Sequence, residues 1–132
     1  MRDTSSHYAD MLNEVGRQIK LEIGYLMGQI GGKVCVAYYH TECEIDRNVF
    51  FDTDFNGGGI AYYLDTIYTD EKGNLQFELS DDEDAYHDTW ELGYFSNTEL
   101  LYILSELEDV INYAEENNEP IRTEYPDWAT EE

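Results

Sequence analysis

The side chains whose types and spacing could do chemistry here are carboxylates. Glu99, Glu106, Asp109 and Glu116 fall at offsets of 0, 7, 10 and 17 residues, and Glu108 and Glu115 begin a second series. On a helix rising 1.5 Å per residue, the first series makes one stripe about 25 Å long. Helices that need only solubility usually interleave cations, because Glu and Lys four apart stabilise by roughly 0.2–0.5 kcal/mol per pair. No cation is interleaved here, and Glu115 and Glu116 stand at the negative end of the helix dipole, where carboxylates are disfavoured. Asp81, Asp82, Glu83, Asp84, Asp88 and Glu91 extend the same field. A row of carboxylates can occupy a cationic groove built for nucleic acid, since duplex DNA presents one negative charge per roughly 1.7 Å of axis. The same row can serve simply as a solvated face that keeps a small protein soluble.

Two metal chemistries have partial sequence support. Asp52, Asp54 and Asn56, followed by Gly57, match positions 1, 3, 5 and 6 of a calcium loop. Position 12, where a bidentate Glu closes the shell, is Tyr63, and the flanks read as strands. A glycine-rich hairpin tip accounts for the same residues. Cys35, His40 and Cys43, with His7 or His87 as a fourth, offer zinc ligands, but in one loose spacing rather than two tight Cys pairs. Buried thiols and a surface histidine are the simpler expectation. Nucleophile elbows and phosphate-cradling loops are missing: Gly57-Gly58-Gly59 lacks the following Lys-Ser/Thr. The sequence therefore predicts no enzyme and no cofactor.

Charge narrows the partners. The 132 residues carry 30 Asp and Glu against 7 Lys and Arg, a formal net charge of −23. Residues 1–72 hold 12 acidic and 6 basic side chains, net −6, and residues 73–132 hold 18 and 1, net −17. Between Lys72 and Arg122 there is no Lys or Arg. Such a chain is repelled by nucleic-acid backbones and by anionic membranes. With 42% hydrophobic residues, including 12 Tyr, it has the aromatics that a disordered acidic tail lacks. No apolar run approaches the roughly 18–20 residues of a membrane span. Two cysteines, Cys35 and Cys43, make no disulfide framework, and a reducing cytoplasm is expected.

The elements that must position these groups follow from periodicity. Tyr8, Met11, Leu12, Val15, Ile19, Ile23, Leu26, Met27 and Ile30 recur at helical spacing and predict a long first helix stopped by Gly31-Gly32. Residues 34–40, rich in β-branched and aromatic side chains, predict a strand, and Val49-Phe50-Phe51 a second. Residues 60–68 predict a third, with Ile60, Tyr62, Leu64 and Tyr68 on one face. Leu75, Phe77 and Leu79 alternate with polar residues to give a fourth, and residues 86–92 a fifth. Ser96-Asn97-Thr98-Glu99 is a capping box that opens a last helix, whose buried stripe runs from Leu100 to Ala114. The predicted fold is α+β: one domain over residues 1–120, an antiparallel sheet of four to five strands with both helices on one face, and an extended acidic tail over residues 121–132.

Trp90-Glu91-Leu92, the capping box and the Leu100 to Leu107 stretch, together with the composition, resemble small acidic orphan proteins of bacterial mobile elements and phages. DNA-mimicking inhibitors of restriction or CRISPR systems occur among these. The resemblance is one of character, so no family residue carries over. It implies a non-enzymatic protein that binds a basic protein surface, such as that of a nucleic-acid-binding protein. The expected surface comprises Asp81, Asp82, Glu83, Asp84, Asp88, Glu91, Glu99, Glu106, Asp109 and Glu116, with Tyr102 and Tyr113 as aromatic anchors. The alternative is an assembly module, in the simplest case a homodimer formed through an aromatic-rich sheet face.

Overall fold

The helical spacing of the N-terminal apolar residues produces α1 (Thr4–Ile30) in the computed structural model of the chain, which describes residues 4–52, 59–81, 83 and 85–125. Gly31 and Gly32 stop it at φ of 106° and 90°, a region open to glycine, and both donate their N–H to the carbonyl of Met27. There follow β1 (Lys33–Cys35), α2 (Val36–Glu42), β2 (Phe50–Asp52), β3 (Ile60–Thr69), β4 (Leu75–Ser80), β5 (His87–Glu91), a 3-10 turn (Leu92–Tyr94) and α3 (Asn97–Glu116).

The fold is α+β, with a five-stranded antiparallel sheet. β3 pairs with β4 and β4 with β5, while β1 pairs with the second half of β3 and β2 with its first residues. The turn between β3 and β4 is held by Asp70, whose Oδ1 accepts from the N–H groups of Lys72 and Asn74, both at 2.9 Å. The bond from Asn74 leads in holding the Asp70 carboxyl below the usual carboxylate range. α1 and α3 pack together. Asn97 Nδ2 at the start of α3 donates to the carbonyl of Leu12 (2.9 Å), and at the other end Ile111 and Ala114 lie beside Gln29 and Ile30. The two helices thus run parallel, and α1 begins about two turns before α3.

Two expectations about strands are corrected. Residues 34–40 are not one strand: after Cys35 the chain turns into α2. Helical spacing there buries Val36 and Tyr39 together and carries the His40 side chain inward, which outweighs the β propensity of Val36, Tyr38 and Tyr39. In β3, a register shift between Leu64 and Thr66 inserts Asp65 as an extra residue. Alternation restarts one residue late, so fully buried Ile67 takes the core position expected of Tyr68, which is half-buried.

The core joins Ile23 and Met27 of α1, Leu64 and Ile67 of β3, Phe77 and Leu79 of β4, and Leu100, Ile103, Leu107 and Val110 of α3. Phe95 centres its aromatic end, with ring centroids 5.0 Å from Phe77, 5.2 Å from Trp90 and 5.6 Å from Phe50. Residues 121–125 have no regular structure but are fastened. The Arg122 carbonyl accepts from Cys35 N–H (2.7 Å), and its N–H donates to the Tyr39 hydroxyl (3.0 Å).

The capping box forms as the sequence predicts: Ser96 Oγ accepts from Glu99 N–H and the Glu99 carboxylate accepts from Ser96 N–H. Ser96→Ala is expected to cost about 1 kcal/mol in urea-unfolding stability, the usual value of such a cap.

Candidate functional site

The predicted carboxylate stripe on α3 breaks where it meets the rest of the fold. Glu106 is a correction: it is buried, not displayed, with its side chain 1% exposed. Glu106 Oε1 lies 2.5 Å from His40 Nε2 and Oε2 accepts from Asn48 Nδ2 at 3.0 Å. One carboxyl group therefore ties α3 to α2 and to the segment leading into β2. Position explains the burial. Glu106 stands three residues after Ile103 and four before Val110, the spacing of core residues rather than of a solvent face. His40 is likewise corrected from a surface histidine to a buried one, with its side chain 4% exposed.

Other members of the expected surface do local structural work. Asp81 Oδ1 accepts from the N–H groups of Ala85 (2.7 Å) and Tyr86 (3.1 Å), closing the β4–β5 connection. Asp88 accepts from Thr89 N–H (2.9 Å) and from Trp90 Nε1 (2.8 Å). Glu99 is engaged in the capping box. Tyr102 is half-buried against Phe50, with centroids 6.2 Å apart. Tyr113 is half-buried edge-on to Tyr39, and its hydrogen bond with Cys43 is the first cause of a phenol pushed up to about 12. Asp82 and Asp84 lie outside the described residues.

What remains exposed on α3 is a compact group: Glu108, Asp109, Glu115 and Glu116. Eight residues of rise place the four within about 12 Å, a mean axial spacing of roughly 4 Å. That is close to the spacing of phosphates along one strand of duplex DNA, about 3.4 Å. Among the described residues, none of these four carboxylates takes a hydrogen bond or an ion pair. Arg17 is held by Glu14 (2.6 Å) and Lys33 lies by Glu124 (3.7 Å). Glu83 in the β4–β5 connection and Glu91 at the far end of β5 are also exposed, at opposite ends of the open-edge strand β5.

Beside β5 lies a groove of about 950 Å³ between β2, β5 and the start of α3, a feature without a sequence signal because its walls come from three distant segments. Phe51 and Tyr94 stand exposed in it, Trp90 and Tyr102 form its floor, and Glu99 and Arg47 are on its walls. The Arg47 guanidinium sits 3.7 Å from the centroid of the Tyr63 ring. Aromatic faces near carboxylates are suited to a cationic side chain.

The metal readings find little among the described residues. Asp52 ends β2, paired antiparallel with Ile60 of β3; Asp54, Asn56 and the glycine-rich tip at Gly57-Gly58 lie outside the described residues. Cys35 and Cys43 are free thiols at opposite ends of α2, and His40 is turned to Glu106. No group of three or more metal-ligating side chains gathers among the described residues, and no helix among them is long and apolar enough to cross a membrane.

Comparison with models of known protein families, with curated proteins and with solved structures finds no match to this chain. Its class rests on fold and surface alone: an α+β domain with concentrated, unpaired carboxylates.

Proposed function

We propose that this chain is a non-enzymatic acidic binding protein that occupies the basic surface of a nucleic-acid-binding protein, acting as a DNA-mimic type of inhibitor. The observation that carries the reading is the group Glu108, Asp109, Glu115 and Glu116, exposed at a phosphate-like density in a stretch with no Lys or Arg between Lys72 and Arg122. Glu115 and Glu116 oppose the helix dipole, so they reduce the stability of the helix that carries them. A role in binding accounts for charge placed at that cost. The aromatic groove beside β5 provides a second area for the same partner, with Phe51 and Tyr94 as exposed contacts for its cationic side chains.

The test is capture of a partner from a lysate at low salt, followed by measurement of the purified pair's dissociation constant across a salt series. Affinity should fall steeply and linearly on a logarithmic salt axis, as it does for charge-neutralising contacts. Binding that does not change with salt is incompatible with the proposal.

A further inference from the structure

We infer that Asp88 guards the outer edge of β5: its carboxylate takes the backbone donor there and keeps a second copy of this chain from adding to the sheet. The register of β4 and β5 shows which backbone groups lie on that edge. Asp81 N–H donates to the Tyr86 carbonyl at 3.1 Å, so these two form a hydrogen-bonded pair, and the ladder alternates from it. Leu79 with Asp88 and Phe77 with Trp90 continue the bonded series, whereas Glu78 with Thr89 and Gln76 with Glu91 fall between. The N–H and C=O of Thr89 and Glu91 therefore point away from β4. Among the described residues no strand receives them, because β5 ends the sheet.

An open edge of this kind is a template for pairing with another chain. The two ends of the sheet answer it differently. At β1 the backbone of the last segment is the cover, with Cys35 N–H donating to the Arg122 carbonyl at 2.7 Å. At β5 the cover is a side chain. Asp88 Oδ1 accepts from Thr89 N–H at 2.9 Å and Oδ2 from Trp90 Nε1 at 2.8 Å, so the carboxylate is fixed at both oxygens. Thr89 is the residue that matters most. Two copies of β5 paired antiparallel about Thr89 would bond Thr89 to Thr89 and set His87 against Glu91, a self-complementary contact. Asp88 takes the N–H needed at the centre of that contact and places a carboxylate from each copy beside the axis, where like charges repel. This inference does not rest on the acidic binding surface proposed above.

Two measurements on the full chain test it. In wild type, amide hydrogen exchange corrected for intrinsic rates should be at least about 10-fold slower at Thr89 than at Glu91, whose N–H also points outward. In sedimentation equilibrium at up to about 100 μM protein and about 0.5 M NaCl, Asp88→Ala should form a dimer that wild type does not. The dissociation constant should fall roughly 100-fold, about ten-fold for each carboxylate bond removed from the edge. Glu91→Gln, which removes one charge from the same strand and leaves the guard in place, should behave as wild type. Adding Thr89→Pro to Asp88→Ala should abolish the dimer, because it deletes the outward N–H and leaves the ladder with β4 intact. Equal protection at Thr89 and Glu91 overturns the inference whatever the variants do. So does an Asp88→Ala chain, folded by circular dichroism, that associates no more than wild type, or a dimer that Glu91→Gln reproduces or Thr89→Pro leaves in place.

Discussion

Replacing Glu106 with alanine is expected to destabilise the domain by about 3–5 kcal/mol, from a buried hydrogen-bond partner left unsatisfied and the cavity that a large-to-small core change leaves. Against a typical total of about 5–15 kcal/mol, that is a large share of the folding free energy. The loss comes from two sources. His40 loses its hydrogen-bond acceptor at a buried side chain, half-buried Asn48 loses one beside the groove, and the void removes packing between α2 and α3. Urea unfolding gives the number directly. Asp109→Asn, on the exposed face of the same helix, should change stability by no more than about 0.5 kcal/mol. A double replacement, His40→Leu with Glu106→Leu, should recover part of the loss, because apolar pairs can substitute for buried polar ones. If Glu106→Ala and Asp109→Asn behave alike, Glu106 is not the tie between the helices described above.

Neutralising the exposed group has the opposite signature. The variant carrying Glu108→Gln, Asp109→Asn, Glu115→Gln and Glu116→Gln should bind the partner roughly 30- to 1,000-fold more weakly at low salt, taking about 0.5–1 kcal/mol for each exposed ion pair lost. Its logarithmic salt slope should shrink in parallel. Stability should hold or rise, since like charges and two carboxylates at the wrong end of the helix dipole are removed. A loss of binding that came with unfolding would point to structure and not to the surface. The contrast with Glu106 matters because a Gln scan along the predicted stripe would mix the two effects.

Much of this architecture was legible in the residues. The i, i+3, i+4 recurrence in α1 and α3, the Gly31-Gly32 stop, the Ser96 to Glu99 box and the alternation of Leu75, Phe77 and Leu79 each report local physics, and each element formed. What was not legible depended on distant partners. Tyr38 and Tyr39 favour strands locally, yet the Arg122 backbone and Glu106 draw Tyr39 and His40 into a helix. The Asp65 bulge left no mark in the alternation until the register with β4 was set. Glu106 shared its helical stripe with exposed carboxylates, and its core spacing relative to Ile103 and Val110 was the available signal. The aromatic groove required β2, β5 and α3 to be brought together before it existed.

The central claim is that the carboxylates of α3 take the place of a nucleic-acid backbone on a basic protein. The most direct measurement is a titration of this chain into a preformed complex of the captured partner with duplex DNA, followed by the fraction of DNA released. Wild type should displace the DNA competitively, so that its apparent affinity falls in proportion to added DNA, and the variant neutralised at Glu108, Asp109, Glu115 and Glu116 should not displace it. Formation of a ternary complex that leaves the DNA bound, or equal displacement by wild type and the neutralised variant, would contradict the account.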